Sequence, residues 1–318
     1  ITIVGATAHI GNGNIINNSI IIFENGKLTT VTEKKPSIAT KGKVINAEGK
    51  DVYPGFIMPN STLGLGEIDA VRATLDENEL GEIIPNVRSL IAYNTESKVV
   101  ESMRPNGVLL AQITPRGGLI SGTSSVVQLD AWNWEDAAVK VDDGIHLNWP
   151  NTCRRGRWWM GEERGYTPNK NYTKTVEKIK DFIQQAKTYS LGNKTIDNLP
   201  YDAILGLFDS SKNIYIHANG SREITDAIEV SNEFGIKNMV IVGGYNSYKV
   251  IDLLKKYNIP VLAERTHSLP NNVDDDYDMP YKLAKILTDN GILVGLENSG
   301  DMERMNSRNL PFYAGQVV

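Results

Sequence analysis

The stretch from residue 213 to residue 297 contains four apolar runs of strand length: NIYIHA (213–218), NMVIVGG (238–244), IPVLAE (259–264) and GILVGLE (291–297). Between them lie three segments typical of helices that end at Gly or Asn, SREITDAIEVSNEFG (221–235), YNSYKVIDLLKKYN (245–258) and MPYKLAKILTDNG (279–291). Strands that alternate with helices in this way predict parallel β/α units. The pattern is compatible both with a closed barrel and with a doubly wound sheet.

Upstream of this stretch, the character of the sequence changes at Pro54-Gly55. Residues 1–55 consist of short β-branched runs separated by turns such as Gly11-Asn12-Gly13 and Glu24-Asn25-Gly26, which predicts a small β-domain. From residue 56 onward strands and helices alternate, and residues 172–189 have the apolar spacing of an amphipathic helix. We therefore expect two domains, 1–55 and 56–318.

Composition excludes several classes of function. The chain of 318 residues carries a net charge of -5 with acidic and basic side chains interspersed, so it lacks the basic face of a nucleic-acid-binding protein. Its apolar runs are shorter than the roughly 18 residues that a membrane-spanning helix needs. Cys153 is the single cysteine, which excludes an intrachain disulfide and a CxxC motif. Because Ile1 is not methionine and already belongs to a strand, we expect the natural N-terminus to have been trimmed.

The junction between the two domains carries a resemblance to a known family. The string YPGFIMPNSTLG (53–64) resembles the signature that opens the barrel in the amidohydrolase superfamily, and residues 6–31 are similar to the opening of its imidazolonepropionase- and dihydroorotase-like members. The resemblance implies a distorted eight-stranded (β/α) barrel over 56–318, preceded by a small N-terminal β-sandwich fragment over 1–55. It also implies a C-terminal part of the family fold, a last helix and returning strands, that we expect to be absent from this chain.

The resemblance implies a zinc or iron site whose usual ligands this sequence has mostly lost. In the family, the ligands look like two His on strand one, a Lys or Glu on strand four, His on strands five and six, and Asp on strand eight. The matching positions outside strand four are Asn60, Thr62, His217, Gly243 (or Gly244) and Asn298. A lone imidazole with amide and hydroxyl oxygens is a poor zinc site, so we predict no resident metal. A weakly bound Mg²⁺ or Ca²⁺, held by the Asn60 and Asn298 oxygens with Asp301 or Glu297, stays open.

The candidate catalytic residues are His217 and Asp301, and the candidate ligand-binding residues are Asn60, Thr62, Arg116, Asn298 and His267. His217 has two interpretations, a substrate-facing imidazole or a hydrogen-bonded packing residue. His267 follows the seventh strand in AERTHSLP and ranks second, ahead of His9 and His146. Arg116 begins the glycine-rich RGGLISGTSS (116–125), which predicts either an anion-binding loop at the barrel rim or a tight bend.

All five tryptophans lie within residues 132–159, at Trp132, Trp134, Trp149, Trp158 and Trp159. They either line a ligand pocket together with neighbouring arginines or pack at a subunit interface.

Two functions follow from these observations. In the first, the protein hydrolyses carbon–nitrogen bonds of cyclic amides or small peptides, as the resemblance implies, with a rebuilt site. In the second, it is a catalytically silent barrel that binds a small molecule or a partner subunit. We expect a small-molecule ligand and a homo-oligomer. The family resemblance, whose members are often bacterial and sometimes exported, points to a periplasmic or exported location.

Overall fold

A computed structural model describes residues 1–156, 160–162, 165–192, 196–272, 274–298 and 302–317. The chain forms two compact units, Ile1–Gly55 and Phe56–Val318.

The first unit is one β-sheet of five strands. The strands are β1 (Thr2–His9), β2 (Ile15–Glu24), β3 (Lys27–Glu33), β4 (Val44–Asn46) and β5 (Asp51–Val52). The order is β3-β2-β1-β4, with β5 also paired to β1. The β2–β3 turn places Asn25 and Gly26 at φ of 51° and 73°, the left-handed conformations that a tight hairpin requires. The described strands make one sheet, so the second layer of the expected β-sandwich stays a prediction.

The second unit is built around an eight-stranded sheet. Its strands are β6 (Phe56–Ser61), β7 (Val108–Ile113), β8 (Ile120–Gln128), β9 (Ala138–Asn148), β12 (Asn213–Ala218), β13 (Met239–Gly243), β14 (Val261–Ala263) and β15 (Val294–Leu296). Neighbours in the sheet follow the order of the chain. The first and last strands approach each other, since the Asn60 side-chain amide donates to Glu297, just after β15, at 3.2 Å. The sheet is therefore a nearly closed barrel, which resolves the choice left open by the strand pattern.

One strand contradicts the expectation of parallel β/α units. β8 is antiparallel to both β7 and β9, whereas the other described neighbours in this sheet are parallel. The reason is the length of the connection: residues 114–119 separate β7 from β8, and a parallel crossover needs a dozen residues or more.

The helices of the second unit cover the outside of the barrel in its C-terminal half. The described α-helices are α1 (Lys98–Glu101), α2 (Trp134–Ala137), α3 (Tyr172–Leu191), α4 (Leu199–Ile204), α5 (Ser221–Glu233), α6 (Ile251–Tyr257), α7 (Met279–Asp289), α8 (Glu303–Asn306) and α9 (Leu310–Gly315). A two-stranded hairpin, β10 (Cys153–Arg155) with β11 (Tyr166–Pro168), follows β9. The amphipathic helix expected over 172–189 is confirmed as α3.

Successive side chains of β12 point alternately to the helices outside the barrel and to its interior. Ile214 and Ile216 are buried with the apolar faces of α3 and α5, including Ile183 and Ile228. Each fully buried side chain of this kind stabilises the fold by about 1.5–3 kcal/mol. Successive side chains on a strand point to opposite faces, so Tyr215 and His217 point into the barrel.

Candidate functional site

His217 forms a pair with a second histidine inside the barrel. His146 lies on β9, the parallel neighbour of β12, and its Nδ1 is 2.9 Å from His217 Nε2. His146 is fully buried. The sequence interpretation ranked His146 below His267 and missed this role. The signal was the alternation in GIHLN (144–148), where the apolar Ile145 and Leu147 face the helices and His146 must face inward.

A polar network fixes the orientation of the pair. His146 Nε2 lies 2.9 Å from Ser124 Oγ, and its ring stacks on Tyr215 with centroids 4.7 Å apart. The Tyr215 hydroxyl donates to Asp143, and the Gln112 side-chain amide donates to both Asp143 and Ser124. These buried polar groups satisfy one another's hydrogen bonds, so the interior is a connected network rather than an apolar core.

Both imidazoles are neutral in this environment. Burial, followed by the positive charge of Arg116, lowers the pKa of His217 to about 3. Burial lowers the pKa of His146 well below its ordinary value, and His217 and Arg116 act in the same direction. A base with so low a pKa is a poor acceptor of a proton from substrate at neutral pH. The pair is therefore suited to hydrogen bonding rather than to proton transfer.

A second cluster joins the first strand to the residues after the last. The Arg116 guanidinium donates to the Asn60 side-chain oxygen at 2.9 Å, to the Asn60 backbone oxygen at 2.8 Å and to Glu303 at 3.0 Å. The Thr62 hydroxyl donates to the same Glu303 carboxylate at 2.5 Å. Sequence analysis placed Asn60, Thr62 and Arg116 in the site and missed Glu303, because nothing in the local sequence says that it folds back onto strand one.

The cluster continues to two further residues. Buried Arg304 pairs with Asp69 and Glu77. Asn298, which is 1% exposed, donates through its side-chain amide to the Glu303 backbone oxygen at 3.2 Å, and its Oδ1 has no hydrogen-bond partner among the described residues. The structure thus gathers Asn60, Thr62, Arg116 and Asn298 around Glu303.

One candidate residue, His267, lies elsewhere. The exposed side chain of His267 has its ring 6.3 Å from that of Tyr281 on α7, and His267 is not among the described residues that line the cleft at His217. Asp301 lies outside the described residues.

The glycine-rich segment forms a tight bend that leads into a strand. Its second half is strand β8, and the backbone amides of Arg116, Leu119 and Ile120 donate to the carbonyl oxygens of Glu77 and Glu82. At Gly118, with φ of 62°, an added Cβ would lie 2.8 Å from the Glu82 oxygen. These three amides are therefore already used, and glycine is needed at position 118 for close backbone approach.

The tryptophans do not form one surface. Trp149 is buried and donates through its indole nitrogen to the Tyr172 hydroxyl at 3.1 Å, and Trp134 packs against the apolar cluster around β7. Trp132 is 88% exposed. Trp158 and Trp159 lie outside the described residues. The described members thus include two packing residues and one surface residue.

A cleft opens at the carboxyl ends of β9, β12, β13 and β14, where barrel active sites lie. This His217 cleft has a volume of about 310 Å³, within the range of small-molecule sites. The polar side chains in its lining are Asn148, Asn151, His217, Asn219 and Glu264. It can therefore form several hydrogen bonds to a polar ligand.

Comparison with known proteins supports the fold. No family model and no curated protein matches the chain. Among solved structures, an amidohydrolase from Thermotoga maritima MSB8 matches with a TM-score of 0.83 at 21% identity, over 99% of this chain and 82% of that one. The chain therefore has the same fold as that amidohydrolase. A Xaa-Pro dipeptidase with bound methionine in the active site matches with a TM-score of 0.53 at 11% identity, over 100% of this chain and 84% of that one. A prolidase complexed with N-methylphosphonate-L-proline matches with a TM-score of 0.50 at 13% identity, over 98% and 83%.

The metal that the amidohydrolase fold implies does not fit the described residues. Among them, no three His, Cys, Asp or Glu side chains are placed to hold an ion. At the strand ends, His217 Nε2 faces His146, the Asn60 side-chain oxygen accepts from Arg116, and the Thr62 hydroxyl donates to Glu303. Zinc needs at least three free N, O or S donors.

Within the described ranges, no helix has both the length and the apolar character needed to cross a bilayer.

Proposed function

We propose that this chain is a barrel of the amidohydrolase fold that binds a small polar molecule in the His217 cleft and has lost metal-dependent hydrolysis. The observation that carries the proposal is the bond between His217 Nε2 and His146 Nδ1. It engages the imidazole that the family pattern would assign to the metal, and it leaves His217 as a neutral group at the wall of the cleft.

The Arg116 cluster supports the same conclusion from the opposite side of the barrel mouth. A fixed guanidinium bound to Asn60 and Glu303 places positive charge where the family pattern would place a cation. The guanidinium therefore takes up the Asn60 oxygens and the Glu303 carboxylate, which are the oxygen donors that a divalent ion would need there.

The test combines metal analysis, activity and binding on the purified protein. We expect less than stoichiometric zinc or iron, and no hydrolysis of cyclic amides or dipeptides with or without added zinc. We also expect a rise in melting temperature with polar ligands, because a ligand that binds the folded state stabilises it. Tightly held stoichiometric metal, or turnover abolished by a chelator, would overturn the proposal.

A second candidate is a hydrolase of carbon–nitrogen bonds, favoured by the likeness of the fold to structures named amidohydrolase, prolidase and dipeptidase. Its rebuilt site would lie at the same cleft, where the Glu264 carboxylate is the candidate general base. Metal-independent turnover that is lost in Glu264→Gln, with the fold intact, would favour it. Homo-oligomerisation and an exported location stay predictions.

A further inference from the structure

The His217 cleft continues into a second cleft toward the β10–β11 hairpin. This outer cleft has a volume of about 490 Å³, and it shares Asn151 and Asn219 with the His217 cleft. The two therefore adjoin and offer room for a ligand of more than one ring. Beyond the shared pair, its lining includes Tyr166, Asn246, Asn271 and Asn272.

Asparagine is the most frequent residue in the lining of both clefts. The outer cleft also has Arg155 and Glu223 in its lining, and the Glu223 carboxylate already accepts from Thr152 and from the Gly220 backbone amide. Asn148 lies at the inner end, Asn151 and Asn219 at the junction, and Asn246, Asn271 and Asn272 at the outer end. Each carboxamide can donate and accept hydrogen bonds, which matches a ligand whose own groups do both. Hydroxyl groups have this property, whereas a carboxylate only accepts and an ammonium only donates.

Some of these groups are available to a ligand. The Asn271 side chain at the outer end is exposed, so its amide oxygen and nitrogen are within reach of a ligand. Asn148 directs its Nδ2 to Gly118 O at 2.9 Å and to Ser121 at 2.9 Å, so its Oδ1 is the group left for a ligand. Acceptors therefore stand at both the inner and the outer end.

The remaining lining favours a polyhydroxylated ring over a peptide. None of the described residues that line the outer cleft is aliphatic, so a peptide with aliphatic side chains would find no matching subsite there. Tyr166, 56% exposed, supplies an aromatic face against which the C–H face of a sugar ring can pack.

We propose that the joined clefts bind a neutral oligosaccharide, with one sugar ring beside His217 and the next between Tyr166 and Asn271. This inference rests on the proposed function and names its ligand class. The site requires neither a metal ion nor a covalent step.

The experiment uses the full chain and three neutral trisaccharides, maltotriose, cellotriose and chitotriose, with triglycine as a comparator of similar length. Calorimetry should detect saturable binding of at least one trisaccharide and none of triglycine. Asn271→Ala should weaken that binding about fivefold, as loss of one hydrogen bond does, and Tyr166→Ala should weaken it at least as much. Asn290→Ala, an exposed asparagine at the end of α7 outside both clefts, is the matched control and should bind like the parent.

The outcomes separate this inference from the proposed function. If no trisaccharide binds, or if Asn271→Ala and Asn290→Ala bind alike, the saccharide assignment is wrong. Triglycine binding at the same site in place of saccharide would also overturn it. The proposed function fails separately, through stoichiometric metal or chelator-sensitive turnover, whichever way the saccharide titrations come out.

Discussion

Replacing Arg116 with methionine should destabilise the barrel more than its position in a loop suggests. The substitution keeps most of the aliphatic stem and removes the guanidinium, which donates to the two oxygens of Asn60 and to both oxygens of Glu303. The side chains of Arg116 and Glu303 are only 22% and 14% exposed. The change therefore leaves a largely buried carboxylate without its cation.

The magnitude follows from that burial. Removing one partner of a buried ion pair costs about 3–5 kcal/mol. Because about one-fifth of the Arg116 side chain is exposed to solvent, we expect a loss near the lower end of this range, about 3 kcal/mol. For a domain of this size the melting temperature should fall by about 6–12 °C.

Calorimetry and urea unfolding measure the effect against a matched control. Lys285 forms an exposed pair with Asp289 on α7, with side chains 61% and 59% exposed, so Lys285→Met should shift the melting temperature by less than about 2 °C. The double variant Glu303→Gln/Arg116→Met should lose about 1–2 kcal/mol less unfolding free energy than the sum of the losses in the two single variants. The reasoning is refuted if Arg116→Met is as mild as Lys285→Met, or if the double variant is additive.

Three further predictions test the barrel and its rim. Because His217 has its pKa lowered to about 3 in the folded state, the unfolded chain binds more protons below the ordinary value of 6.5, so stability should fall as pH drops from 6.5 toward 3. His217 contributes up to about 1.4 kcal/mol per pH unit, and His146, whose pKa is also lowered, adds to the slope. Urea unfolding from pH 7.5 to 4.5 should show this slope, and His217→Gln should reduce it whereas His9→Asn in the first unit should not. Ser124→Ala should cost about 1–3 kcal/mol in the same assay, since it removes the partner of His146 Nε2; a loss under 0.5 kcal/mol, on the order of a surface change, would contradict the network. Gly118→Ala should destabilise more than Gly235→Ala, because both glycines have positive φ but only Gly118 has a backbone oxygen within 3 Å of the added Cβ; equal losses would show that contact to be unimportant.

Much of the barrel could be predicted from the sequence because its C-terminal half obeys local rules. The strands from Asn213 to Leu296 are short apolar runs bounded by helices with clear ends, and the order of strands in the sheet is that of the chain. The antiparallel β8 was missed because its sequence, ISGTSSVVQ, has a strand pattern that says nothing about direction. The direction of β8 is set by the short connection of residues 114–119, which is too short for a parallel crossover.

The site was predicted less completely, for a physical reason. Asn60, Thr62 and His217 follow from counting positions along strands, whereas Glu303 and the pairing of His146 with His217 depend on contacts between residues far apart in the chain. Alternation along β9 could have shown that His146 points inward, but not that it meets another imidazole there.

The two histidines and Arg116 together support the proposal that the mouth of this barrel binds a neutral polar ligand. A buried imidazole stays uncharged when a guanidinium is near, and the charge of that guanidinium is in turn matched by Glu303. At the His217 cleft this leaves Glu264 as the one acidic side chain among the described lining residues, and its carboxylate accepts from Asn219 at 3.2 Å. The hydrogen-bonding capacity of the cleft therefore comes mainly from amides, and amides recognise partners by geometry rather than by charge. This supports the proposal of an uncharged ligand, and it predicts that binding should depend little on salt.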